Sequence, residues 1–235
     1  MRRDLQVVIL AGGLGTRLRP ITERVPKPMV PVGGQPFLQY ILEHLVAQGF
    51  ARSLLLLGYL GEQVYDYFGD GSRFGLALEY AQEHQPLGTA GAVRNAFDQL
   101  EEEFVLLYGD SFLPIDYREV VDAFYEKPCE GLVIGYDNQH SDTGVKHNLA
   151  IDSSGYVMRY DKSGVGADLT LVEAGVLCFR RDVFAALPPG QAISLEQEIF
   201  PELIARRQLR AFITPQRFYD IGTFERLQEF AAIKA

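Results

Sequence analysis

Three glycines in four residues end the first apolar run of the chain, and that junction constrains the fold more than any other stretch. Val7-Val8-Ile9-Leu10-Ala11 carries no polar residue to mark a solvent face, so it reads as a strand buried on both sides of a parallel sheet. Gly12-Gly13-Leu14-Gly15 then lets the main chain turn sharply and bring bare N–H groups against a ligand. Thr16 is placed to cap a helical turn after the glycines, but Pro20, Pro26, Pro28 and Pro31 forbid a long helix. Arg17, Arg19, Arg24 and Lys27 are therefore expected on an extended loop, with Glu23 as the one acid among them. Backbone donors, guanidinium and ammonium groups match polyphosphate oxygens, so the chemistry suggested is nucleotide handling.

Two familiar glycine loops do not fit. A dinucleotide fingerprint laid on Gly13 and Gly15 needs glycine where Leu18 stands. A P-loop needs lysine and a hydroxyl residue directly after its last glycine, whereas Thr16-Arg17 comes after Gly15 and the lysine waits until Pro26-Lys27-Pro28. On its own, a glycine loop after a strand is also compatible with an ordinary βα turn.

Length and charge narrow the class. A chain of 235 residues suffices for one large α/β domain, and no linker-like stretch divides it. The formal net charge of −9 argues against nucleic acid or an anionic membrane as a general partner, so the positive patch is local. Met1-Arg2-Arg3-Asp4 runs straight into a short strand rather than a signal peptide or membrane span, and a cytoplasmic location is expected. Cys129 and Cys178 lack metal-ligand spacing and read as reduced structural thiols. His44, His84, His140 and His147 form no ligand pair at helical spacing, so any metal chemistry here is carboxylate chemistry.

Along the chain, helix and strand periods alternate. Leu38, Ile41, Leu42, Leu45 and Val46 predict a helix from Pro36-Phe37 to Gly49; Ser53 to Leu57 is a strand, Glu62 to Phe68 a short helix, Leu76 to Ala81 a third strand. Gly88-Thr89-Ala90-Gly91 opens a helix through Phe97, with Thr89 as its cap, or is a strand-to-helix turn with incidental glycines. Glu103 to Tyr108 is a strand ending at Gly109-Asp110, where a carboxylate either binds Mg²⁺ between phosphates or turns the chain. A helix (Tyr117 to Tyr125) and a strand (Gly131 to Tyr136) come next, then shorter strands at Asn148 to Asp152, Tyr156 to Tyr160 and Val172 to Phe179. Ser194 to Arg206 is a helix opened by a Ser194/Gln197 capping box, Arg210 to Thr214 a strand, and Phe224 onward an amphipathic helix. Successive βα units imply a Rossmann-like three-layer α/β/α fold with a mixed, mostly parallel central sheet, and ligands at the carboxyl ends of its strands.

Gly12-Gly13-Leu14-Gly15-Thr16-Arg17-Leu18-Arg19-Pro20 with Pro26-Lys27-Pro28 closely resembles the signature of the sugar-1-phosphate nucleotidyltransferases, and the likeness extends over nearly the whole chain. That resemblance implies nucleotide-binding roles for Leu10, Ala11, Gly12, Gly13, Gly15 and Thr16, and catalytic contacts to phosphate for Arg17 and Lys27. It implies that Gly88 and Thr89 hold the base and that Glu83 faces its edge. A carboxylate only accepts hydrogen bonds, and guanine offers two adjacent donors, so GTP is favoured unless Glu83 points to solvent. By the same resemblance Asp110 and Asp220 hold Mg²⁺, Lys162 grips the sugar phosphate, and Asn148, Glu173 and Gly175 approach the sugar. Ser163 stands where the family usually has proline after that lysine, which suggests a mobile loop. Residues up to about 115 would form the nucleotide part and about 116–235 the sugar-phosphate part of one domain, without the β-helix domain that some relatives append.

The implied reaction joins a nucleoside triphosphate and a sugar 1-phosphate, of mannose or heptose type, into a nucleotide-sugar and pyrophosphate. Alternatives are a uridylyltransferase for glucose, N-acetylglucosamine or N-acetylmuramic acid 1-phosphate, and a non-catalytic nucleotide-sugar-binding regulator.

Overall fold

The computed structural model describes residues 5–139 and 141–234. The reading of Met1 to Asp4, of His140 and of Ala235 lies outside the described residues. Strands in chain order are β1 (Gln6–Ala11), β2 (Pro31–Val32), β3 (Gln35–Pro36), β4 (Arg52–Leu57), β5 (Ala77–Gln82), β6 (Glu103–Tyr108) and β7 (Ser111–Phe112). They continue as β8 (Gly131–Tyr136), β9 (Leu149–Ile151), β10 (Val157–Tyr160), β11 (Val172–Arg180), β12 (Leu209–Thr214) and β13 (Tyr219–Asp220). The α-helices are α1 (Phe37–Ala47), α2 (Gly61–Phe68), α3 (Gly88–Asn95), α4 (Tyr117–Glu126), α5 (Phe200–Ala205) and α6 (Phe224–Lys234).

Seven strands form one sheet in the order β12-β8-β11-β6-β1-β4-β5, and all neighbours are parallel except the two pairs that β11 makes. This is the mixed, mostly parallel sheet the sequence implies. Alternation along β1 divides the core in two. Val7 and Ile9 join Phe37, Leu42, Val64, Val120 and Phe230 on one face. Val8 joins Ala90, Val93, Phe200 and Leu203 on the other. At about 1.5–3 kcal/mol for each fully buried large apolar side chain, these two layers fix the strand ends on which the site is built.

Several boundaries depart from expectation for identifiable reasons. The segment after Gly15 is not extended: it winds through three single 3₁₀ turns, Thr16–Leu18, Ile21–Glu23 and Lys27–Met29, which tolerate proline because each needs only one i→i+3 bond. Neither Thr16 nor Thr89 caps its helix. The helix opened by Gly88 stops at Asn95, and Phe97 belongs to a separate 3₁₀ turn. The strand from Val172, expected among short strands of the second half, is the nine-residue antiparallel member of the main sheet, wedged between β6 and β8. The helix expected from Ser194 to Arg206 begins as a π-helix, Leu195–Ile199, and becomes α-helical only from Phe200. Half its capping box forms: Ser194 Oγ accepts from Gln197 N, but Glu198, not Gln197, accepts from Ser194 N.

Candidate active site

The glycine turn is built to deliver Lys27. Gly15 has φ +62°, and a Cβ there would lie 2.8 Å from Thr22 and 3.1 Å from Lys27 Cβ, so only glycine lets the loop fold back on itself. Thr22 Oγ1 fastens the fold by donating to Gly15 O at 2.8 Å. Lys27 is consequently buried rather than hanging free, and it ion-pairs with Asp110, 83 residues away. Arg17, Arg19 and Arg24 remain exposed.

Asp110 stands just past the carboxyl end of β6, next to β1. Gly109 N donates to Leu10 O, which locks the end of the Asp110 strand to the root of the glycine loop. Burial works against its charge, but Lys27 and then Arg17 overcome it and hold the carboxyl below the usual range. Asp220 arrives from the far end of the chain on β13, which pairs with β7 so that Asp220 lies opposite Ser111. Ile221 N donates to Asp110 O at 3.0 Å, which ties the two aspartate segments together. Asp220 Oδ1 accepts from Gly222 N at 2.6 Å and Oδ2 from Arg226 Nη1.

Leu10, Ala11, Gly12, Gly13, Glu83, Gly88 and Thr89 line one cleft of about 310 Å³, together with Lys27, Asp110, Tyr108 and Glu196. Gly15 and Thr16 stand outside it; Gly15 shapes the loop instead. Glu83 is half-buried and does not point freely to solvent. Its Oε2 accepts from Leu87 N at 3.2 Å, and burial pushes its pKa upward against that bond. Thr89 Oγ1 accepts from Leu195 N and donates to Glu196 Oε2, so it bridges α3 to the π-helix.

The residues expected to meet the sugar phosphate gather about β11. Gly175, at φ +79°, is where β11 loses register with β8 between Glu173 and Leu177; a Cβ there would lie 2.8 Å from Ser111 Cβ. The irregularity lets Gly175 N turn back to donate to Glu173 Oε1 at 2.6 Å, while Asn148 Oδ1 accepts from Glu173 N. Asn148 is thus a buried support for Glu173. Burial raises the Glu173 carboxyl to about 8, assisted by the charges of Glu196 and Asp110 and opposed by Lys162. Lys162 is exposed, and its charge is felt at both Glu173 and Glu196.

The donor set suits a hard divalent cation. Two carboxylates from adjoining segments offer oxygen ligands and leave coordination positions for phosphate oxygens, which is the usual way Mg²⁺ is held. Among the described residues no three His, Cys, Asp or Glu side chains gather into a closed cage. Both aspartates already sit against cations, Lys27 and Arg226, so the location accommodates positive charge.

Sequence reasoning misses Glu196, Tyr108 and Arg226. Glu196 accepts from Tyr108 OH at 2.9 Å and from Ser194 Oγ at 2.7 Å; burial opposes its charge, but these bonds leave its carboxyl lowered. Tyr108, last in β6 before Gly109-Asp110, is the available clue. Nothing local marks Glu196, because the π-helix that aims it inward has no signature in single-sequence periodicity.

Comparison with known proteins matches this geometry to a family. The nucleotidyl transferase family matches residues 6–234. A D-glycero-alpha-D-manno-heptose 1-phosphate guanylyltransferase of Campylobacter jejuni is 31% identical over 96% of this chain and 98% of its own length. A mannose-1-phosphate guanylyltransferase of Mycobacterium tuberculosis is 30% identical over 94% of this chain, which spans 62% of that protein. A UTP–glucose-1-phosphate uridylyltransferase of Synechocystis is also 30% identical, over 85% of this chain and 55% of its own length. The crystal structure of HddC from Yersinia pseudotuberculosis complexed with GMP-PN superposes with a TM-score of 0.82 at 28% identity, covering 98% of this chain and all of that one. No described helix is long and apolar enough to cross a membrane. With the fold, the cleft and these relatives in agreement, the chain belongs to the nucleotidyl transferase family, among its sugar-1-phosphate nucleotidyltransferases.

Proposed function

We propose that the protein transfers a guanylyl group from GTP to a mannose- or heptose-type sugar 1-phosphate, releasing pyrophosphate. The observation that carries this reading is the ion pair of Lys27 with Asp110 in the cleft beneath the glycine loop, with the Asp220 segment tied to Asp110 through Ile221 N. A sugar-phosphate oxygen is already anionic and needs no deprotonated side chain to activate it. It attacks the α-phosphorus of GTP; the new O–P bond forms as the bond to pyrophosphate breaks. The obstacle is mutual repulsion of two polyanions.

In this reading each residue answers part of that obstacle. Gly12 and Gly13 present main-chain donors to the phosphates, and Arg17 and Lys27 hold them and the charge of the transition state. Lys162 orients the attacking phosphate, and Glu173 binds sugar hydroxyls. Asp110 and Asp220 would hold Mg²⁺, which when bound neutralises phosphate charge. Residues up to about 115 serve the nucleotide and the rest the sugar phosphate, and a cytoplasmic location belongs to the same proposal.

Support for guanine comes from Glu83. Its carboxylate borders the cleft, is partly desolvated and has one main-chain donor, so a base bringing N1–H and an N2 amine would satisfy it where uracil brings one donor. Pyrophosphate release should be measured with each nucleoside triphosphate against mannose, heptose and glucose 1-phosphates. GTP should give the best turnover, and Glu83→Gln should lower kcat/KM for GTP by about tenfold or more while sparing UTP. Best turnover with UTP or dTTP would overturn guanine alone; no release with any pair would overturn catalysis.

A further inference from the structure

Arg226 has no part in the proposed reaction except as neighbour of Asp220, and its surroundings ask for more. Its Nη1 lies 2.5 Å from Asp220 Oδ2, with the two side chains 21% and 11% exposed, while Gly222 N occupies the other carboxylate oxygen. A guanidinium therefore sits on the oxygen that a cation at Asp220 would approach. A second observation concerns Arg17, which makes no ion pair among the described residues. A Cβ built on Gly222 would be 3.2 Å from Arg17 Nη2 and 3.3 Å from Arg226 Nη2. Two guanidinium groups thus converge beside one carboxylate. Like charges gathered around one point repel, and Asp220 pairs with only one of them.

We propose that Arg226 is an internal counter-ion of Asp220 which a divalent cation displaces, and that the displaced guanidinium joins Arg17 on the phosphates of the nucleotide. The inference rests on the metal reading above. A cation on Asp220 removes the attraction that holds Arg226 and adds a repulsion, so the guanidinium must find another anion. Phosphate oxygens beside Arg17 are suited to it, because the planar fork binds them bidentately. The helix need not move for this. Phe230 of α6 is fully buried against Phe37 and Phe112, with ring centroids 4.8 and 5.6 Å away, so the long side chain swings from a fixed backbone. Arg226 is in this sense a device that offsets the charge of Asp220 until a cation takes its place and then adds a phosphate ligand.

The test is Mn²⁺ titration without nucleotide, with free Mn²⁺ followed by electron paramagnetic resonance, on wild type, Arg226→Gln and Arg226→Lys. Removing the competitor should tighten Mn²⁺ binding by about tenfold in Arg226→Gln, the weight of one partly buried ion pair, while Arg226→Lys stays near wild type. The KM for the nucleoside triphosphate should rise about tenfold in Arg226→Gln, since a phosphate contact is lost. If Arg226 merely orients Asp220, Arg226→Gln binds Mn²⁺ equally or more weakly, and the proposal falls. A crystal of the wild type soaked in MnCl₂ covers the case of a poorly folded variant: the Arg226–Asp220 pair should be open, and an intact pair beside bound Mn²⁺ overturns the idea. Failure of wild type to release pyrophosphate would defeat the proposed function and leave the Mn²⁺ comparison readable.

Discussion

Asp110, just past the end of β6, and Glu173, on the neighbouring β11, are both buried acids, and they differ in charge. Asp110 has Lys27 against it and Arg17 nearby, which together outweigh burial and hold its carboxyl low. Glu173 is buried beside two other acids, with one main-chain donor and a distant Lys162, and its carboxyl rises to about 8. Burial is common to both, so what separates them is the cation the glycine loop brings down. The Asp110 end of the cleft thus keeps an anion charged, in the proposed reading for a metal, whereas the Glu173 site keeps an acid that holds its proton near neutrality and so donates as well as accepts hydrogen bonds.

The most severe way to break this contrast is to remove the charge of Asp110. Asp110→Asn leaves Lys27 buried beside a neutral amide and deprives the proposed Mg²⁺ of a ligand, so turnover should fall by about 10³-fold or more. Steady-state pyrophosphate release checks it. A loss below tenfold would mean that Asp110 is structural.

A sharper variant takes away the cation instead. Lys27→Met keeps the aliphatic stem and removes the ammonium, after which burial acts on Asp110 with only its own main-chain N–H and Arg17 opposing it, and its pKa should rise toward the behaviour of Glu173. Loss of one phosphate-facing charge should cost about 10²- to 10³-fold in kcat. The acid limb of the kcat profile should also move to higher pH. A reduced rate with an unmoved limb would show that Lys27 acts on substrate without setting the state of Asp110.

How much of the molecule is legible in its sequence depends on how local each signal is. The β1 run, the glycine turn and Gly109-Asp110 are readable because strand burial and turn chemistry are written in consecutive residues. Leu38, Ile41, Leu42 and Leu45 give α1 to within two residues for the same reason. Lys27 stands out as a cation but reads as one on an open loop, because its burial depends on Thr22 closing back on Gly15 and on a partner 83 residues away. Glu196 and Arg226 do not stand out at all. Their meaning comes from a π-helix and from a two-strand pairing between β7 and β13, which no periodicity announces. The antiparallel course of β11 is equally hidden, since a continuous apolar strand looks the same in either direction.

Glu173→Gln should have the mildest effect on turnover and the clearest one on stability. An acid whose folded pKa lies above its ordinary value of 4.5 holds a proton in the folded chain that the unfolded chain has shed. Between about 4.5 and about 8 the unfolded state therefore binds fewer protons, and stability falls as pH rises, by at most about 1.4 kcal/mol per unit, then levels off. The stabilising contribution is complete below that window and lost above it. Glutamine keeps an acceptor for Gly175 N and has no proton to lose, so the variant's stability should be flatter across the window and should exceed that of wild type at pH 8.5. Urea midpoints at pH 5, 7 and 8.5 measure this directly, and parallel slopes for the two proteins would contradict it. The KM for the sugar 1-phosphate should rise less than about tenfold, the scale of one neutral hydrogen bond, because the protonated acid and the amide present the sugar with nearly the same donor and acceptor.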